Sequence, residues 1–77
     1  MKLEIKLFAT LRPYMEGICE DGSLEVAEET TVAHIVEILK LPDEQVRLVF
    51  VNGRHVGRDH VLESGDRIGI FPPVGGG

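Results

Sequence analysis

One cysteine, Cys19, leaves the chain without an internal disulfide and without any multi-cysteine zinc or iron–sulfur site. No basic residue lies within several positions of Cys19 to favour a thiolate, so it reads as a small residue in a loop or at a strand edge. Tryptophan is absent and aromatics make up only 5% of residues. Basic residues are also scarce: 8 Lys and Arg against 13 Asp and Glu give a net charge of −5 and a pI of about 5.0. That balance argues against nucleic acid and suits partners with basic grooves. No apolar run approaches the ~20 residues that span a bilayer, and "MKLEIKLF" is not the apolar core of a signal peptide. The expectation is a cytoplasmic protein with no membrane and no nucleic-acid partner.

What is present is ordinary for a small globular protein. Hydrophobic residues make up 43% and charged residues 27% of the 77. Residues 1–73 are expected to form one domain, followed by a flexible glycine tail over 74–77. "KLEIKLF" alternates, with Leu3, Ile5 and Leu7 facing one way and Lys2, Glu4, Lys6 and Phe8 the other. "ATLRPYMEGICEDG" reads as a long connection holding one helical turn, punctuated by Pro13, Gly17 and Gly22. "SLEVAEE" is a shorter strand with Leu24 and Val26 inward.

"TTVAHIVEILKL" changes period. Val32, Ile35, Val36 and Leu39 fall at i, i+3, i+4 and i+7, which predicts an amphipathic helix at about 31–41. Thr31 is its natural N-cap, but the capping box is expected to be incomplete, since His34 and not Glu holds the third helical position. Lys40 suits the negative end of the helix dipole and Pro42 stops it. "VRLVFV" is a buried strand, with Leu48 and Phe50 expected on the core side and Val49 and Val51 outward. Asn52-Gly53 signals a hairpin and "RHV" the return strand. Leu62 is the apolar anchor of the next loop, and Ser64-Gly65-Asp66 a turn. "RIGIF" closes the sheet, with Ile68 and Ile70 inward and Phe71 outward. One crossover helix on one face of a mixed four- to five-stranded sheet is an α+β roll.

Most polar residues carry no chemistry in this reading. His34, His55 and His60 lack paired ligand spacing and read as solvated or structural, so no metal is expected. Glu28-Glu29 and Asp43-Glu44 read as a solvated strand end and a turn, not as catalytic carboxylates. Gly53 and Gly65 are turn glycines, not a phosphate cradle.

The end of the chain is different. "RIGIFPPVGGG" carries a strand into two prolines, which lack the amide that a ladder needs and so end pairing at Phe71. At roughly 3 Å per residue, Pro72 through Gly77 reach ~18 Å, enough to enter a partner's pocket. Gly75, Gly76 and Gly77 have no Cβ, so the backbone fits a narrow channel and the last carboxyl carbon is unhindered.

"LFATLR" at 7–12, "TTVAHIVEIL", the hairpin "NG", "ESGD" before the last strand and "FPPVGGG" together resemble the MoaD/ThiS family of ubiquitin-like β-grasp sulfur carriers. The resemblance covers the whole chain, and "ESGDRIGIFPPVGGG" looks most like the small subunit of molybdopterin synthase. One departure is Gly75, where the family usually has Ala, Ser or Thr. The resemblance implies that a ubiquitin-activating-type adenylyltransferase uses ATP to adenylate Gly77, and that a sulfur donor then converts it to a thiocarboxylate. The large subunit of molybdopterin synthase would receive that sulfur. It further implies a carrier subunit with no cofactor and no catalytic side chain of its own, its site being Gly76 and Gly77. With the first and last strands as neighbours, Phe8 and Phe71, joined by Val49 and Val51, would form an apolar partner surface that continues into Pro72, Pro73, Val74 and Gly75. The same chemistry serves thiazole, thionucleoside or cysteine synthesis. A ubiquitin-like protein modifier, or a plain β-grasp binding module, would share the fold.

Overall fold

The structure, a computed structural model, describes residues 1–18 and 21–73; Cys19 and the tail residues 74–77 lie outside them. Alternation sets the first strand. In β1 (Lys2–Leu7), Leu3, Ile5 and Leu7 are buried while Lys2, Glu4 and Lys6 are exposed. Ala9 then takes a φ of 51° and turns the chain off the sheet into a 3₁₀ segment, Ala9–Gly17, that contains Pro13. This is longer than the single helical turn expected. Its tight geometry is weak by itself, and the fully buried side chain of Leu11 anchors it to the core.

In β2 (Ser23–Glu25), Leu24 lies opposite Leu3, and Leu24 and Val26 pack half-buried against the core, inward as expected. Helix α1 (Val32–Ile38) buries Val32, Ile35 and Val36, with Leu39 behind them at its C-cap. It is shorter than expected because Lys40 adopts a left-handed φ of 56° and closes the last turn. The capping box is complete, contrary to the expectation from sequence. Thr31 Oγ1 accepts the His34 N–H at 3.3 Å, and His34 Nδ1 accepts the Thr31 N–H at 3.2 Å, so the imidazole acts where a Glu commonly does.

A second 3₁₀ turn, Asp43–Gln45, leads into β3 (Leu48–Val51). Asn52 and Gly53 turn the chain with φ values of 52° and 83° into β4 (Arg54–His55), the expected tight hairpin. A loop anchored by the buried Leu62 then leads to β5 (Arg67–Phe71). The five strands lie in the order β2-β1-β5-β3-β4, with β1 and β5 parallel and the other pairs antiparallel. This is the mixed sheet with one main helix on one face that the sequence predicts.

The facing of β3 is a correction. Val49 pairs with Ile70 and Val51 with Ile68, and paired residues share a face, so both valines are buried at 4% exposure. Leu48 and Phe50 point the other way, and Leu48 is 37% exposed. The register is the cause: it sets the two β-branched valines beside Ile70 and Ile68 on the core face and places the larger Phe50 ring opposite Gly69, which has no side chain, on the outer face.

Candidate functional site

Strand β5 lies at the centre of the sheet and leads directly to Pro72 and Pro73, so the sheet face beside its end adjoins the start of the tail. Parity places Phe71, at the last position of β5, on the face away from the helix. Phe8, just past β1, shares that face and stays tied to β5 through its N–H bond to the Ile70 carbonyl at 3.2 Å. The two rings stack with centroids 4.2 Å apart and planes 4° from parallel. Phe50 meets Phe71 edge-on at 5.6 Å and 87°, and His55 lies tilted beside Phe50 at 5.6 Å. All three phenylalanines of the chain are therefore in one cluster.

Gly69 lies beneath the cluster. A Cβ there would stand 3.4 Å from Phe8 Cε2 and 3.5 Å from Phe71 Cε1, ordinary contact distances, so the two rings lie directly over the strand at this position. The rings form one wall of a shallow groove that continues over Gly69 to Met15, with Lys6 and Arg67 on its rim. Arg67 Nε pairs with Glu4 Oε2 at 3.2 Å, both side chains largely exposed, so the pair adds little stability and serves as a polar margin. At another edge, Asp21 accepts from the Ser23 hydroxyl at 2.7 Å and the Ser23 N–H at 3.0 Å. Those bonds hold its carboxyl below the ordinary carboxylate range, the hydroxyl contributing most. An apolar centre with a polar rim is the anatomy of a protein-docking surface.

Of the residues expected at this surface, Phe8 and Phe71 are brought together, half-buried, with Pro72 half-buried and Pro73 exposed at the exit. Val49 and Val51 belong to the core instead, and Phe50 and Leu48 take their place. Val74, Gly75, Gly76 and Gly77 lie outside the described residues. Phe50 and Met15 were not signalled by periodicity. A usable signal existed for Phe50: a glycine inside a strand marks space, and an aromatic ring pairs well with it across the ladder. The three histidines fall on separate elements, and among the described residues no group of metal-ligating side chains is close enough to hold an ion. No helix among the described residues is long and apolar enough to cross a membrane.

These features define a ubiquitin-like β-grasp protein whose central strand leads out past an aromatic face. The ThiS family model matches residues 5–77, and the chain belongs to that family of sulfur carriers. A putative molybdopterin converting factor subunit 1 from Pyrococcus furiosus superposes with a TM-score of 0.75 at 29% identity, over 96% of this chain and 99% of that one. SAMP1 from Haloferax volcanii matches with a TM-score of 0.71 at 24% identity, over 100% of both chains. The molybdopterin-converting factor of Helicobacter pylori, solved as a complex of subunits 1 and 2, matches with a TM-score of 0.60 at 19% identity, again over 100% of both chains. At such identities the last two speak for the fold alone. No curated protein matches the chain significantly by sequence.

Proposed function

We propose that the chain carries sulfur as a thiocarboxylate on Gly77 and delivers it in molybdopterin synthesis, as the small subunit of a two-subunit converting factor. The observation that carries this reading is the family match, which runs through the glycines to residue 77. The likeness to the Pyrococcus furiosus subunit supports the pterin branch, as do the two prolines that follow β5. Gly75 is sterically compatible with either branch.

The chemistry follows from the carboxylate. It has no leaving group, so a ubiquitin-activating-type partner first joins it to AMP from ATP, releasing pyrophosphate. A sulfur donor then displaces AMP, and the resulting thiocarboxylate is a soft nucleophile near neutral pH. Phe8, Phe50 and Phe71 dock the body on each partner in turn. Pro72 and Pro73 direct the chain outward, and Val74, Gly75 and Gly76 occupy a channel too narrow for larger side chains. The large subunit receives the sulfur.

ATP–pyrophosphate exchange with the activating enzyme tests the first step. Deleting Gly77, or adding one alanine after it, moves the attacking oxygen by roughly 3 Å. Reacting atoms must approach to about 3–3.5 Å, so both variants should lose exchange. Folding should change by no more than about 0.5 kcal/mol. Wild-type exchange in both variants would refute the role of Gly77. Glycine remnants on lysines of other proteins, without sulfur transfer, would favour the modifier reading.

A further inference from the structure

The β3–β4 turn is an Asn-Gly dipeptide with both residues at positive φ, 52° at Asn52 and 83° at Gly53. Few residues other than Asn and Gly tolerate that geometry. Nothing stands within 4 Å of where a Cβ on Gly53 would lie, so conformation and not crowding demands glycine there. The same dipeptide is chemically vulnerable. With no side chain on the following residue, the Gly53 nitrogen has open access to Asn52 Cγ. Attack forms an N–Cγ bond, the Cγ–Nδ2 bond breaks, and the nitrogen leaves as ammonia. Water then opens the cyclic imide at either carbonyl, giving aspartate or isoaspartate. The turn thus uses a dipeptide prone to degrade.

The side-chain amide of Asn52 is held at both ends. Its Oδ1 accepts the Arg67 N–H at 3.1 Å, and its Nδ2 donates to Asp66 Oδ1 at 2.9 Å. The Asn52 main-chain N–H donates to the Arg67 carbonyl at 2.9 Å, so the residue is fixed on three sides. Asp66 is itself buried, at 8% exposure, and its Oδ2 accepts the Glu63 N–H at 2.8 Å. Sulfur carriage makes no use of this cluster.

We propose that Asn52-Gly53 is a deamidation site kept closed by Asp66, which with the Arg67 amide holds the Asn52 side chain away from the Gly53 nitrogen. Conversion at this site damages the turn in two ways. Aspartate at 52 replaces the Nδ2 donor with an oxygen facing the Asp66 carboxylate, two like charges where a hydrogen bond stood. Isoaspartate in addition lengthens the main chain inside a two-residue turn whose length sets the β3–β4 register. Phe50 sits in that hairpin, so the modified protein also loses the shape of its aromatic face.

The test uses the full chain alone, incubated under mildly alkaline conditions and followed by intact mass, about 1 Da gained per event, with isoaspartate mapping of the peptide around residue 52. Two hydrogen bonds must open before attack, so the native protein should deamidate about tenfold or more slowly than the same chain in urea at the same pH. Asp66→Ala, shown to be folded by circular dichroism, should react several-fold faster than wild type. A native wild-type rate equal to the unfolded one overturns the proposal, as does a folded Asp66→Ala at the wild-type rate. Should Asp66→Ala not fold, hydrogen exchange of the Asn52 side-chain NH₂ in the wild type decides. Slowed exchange supports the lock, and exchange at the rate of a free amide overturns it.

Discussion

Replacing Phe8 and Phe71 by leucine, singly and together, measures what the stacked pair on the sheet face is worth. The rings are 4° from parallel with centroids 4.2 Å apart. Planes in contact lie about 3.5 Å apart, so the rings are offset by about 2 Å, the favoured arrangement for parallel aromatics. Phe71 also meets the edge of Phe50 at 5.6 Å, whereas Phe8 has one aromatic neighbour. Each such pair is worth about 0.5–1.5 kcal/mol beyond its buried area. Phe71→Leu should therefore destabilise by about 1–3 kcal/mol and Phe8→Leu by roughly half of that. The double-mutant cycle, read from urea unfolding followed by circular dichroism, should give a coupling of about 1 kcal/mol. A coupling below about 0.3 kcal/mol, with equal costs for the two single changes, would mean that the rings do not meet in solution. Phe71→Asp cannot be neutral for folding under this geometry, even though the ring lies outside the core. A variant of this kind tests docking only after its stability has been measured.

Two further changes test the corrections to the sequence reading. Val51→Ala opens the core between the sheet and α1 and should cost about 1–3 kcal/mol, whereas Leu48→Ala on the outer face should cost less than about 1 kcal/mol; urea midpoints in the reverse order would mean that β3 faces the other way. His34→Ala removes one half of the capping box and should cost about 0.5–1 kcal/mol, which His34→Glu should recover; thermal melts that show no loss in the alanine variant would refute the cap.

The legible parts of the fold were those where one pattern excludes the others. The alternation of Leu3, Ile5 and Leu7 admits one facing, the stripe Val32, Ile35, Val36 and Leu39 admits one helix, and Asn52-Gly53 admits one kind of turn. β3 was different because Leu48, Val49, Phe50 and Val51 are all apolar, so periodicity assigns no face. Only pairing with Ile68 and Ile70 does so, and that register is a tertiary fact. Leu11 carries no periodic signal because a 3₁₀ segment has no long apolar repeat, and the burial of Asp66 has none because its partner Asn52 is distant along the chain. The completed capping box at His34 has a chemical reason: Glu is the usual residue at that position, but the imidazole Nδ1 accepts the same hydrogen bond. At the site, Phe8 and Phe71 were readable from parity, while Phe50 inherited the ambiguity of its strand.

The most direct test of sulfur carriage is the intact mass of the protein isolated from its native host. Conversion of the Gly77 carboxylate to a thiocarboxylate exchanges one oxygen for sulfur and adds about 16 Da. The account predicts a fraction of molecules carrying that mass, with the added sulfur mapping to Gly77. It also predicts that the fraction disappears when the activating enzyme is deleted. A protein whose mass stays at the unmodified value in cells that are making molybdopterin, with or without that enzyme, would contradict it.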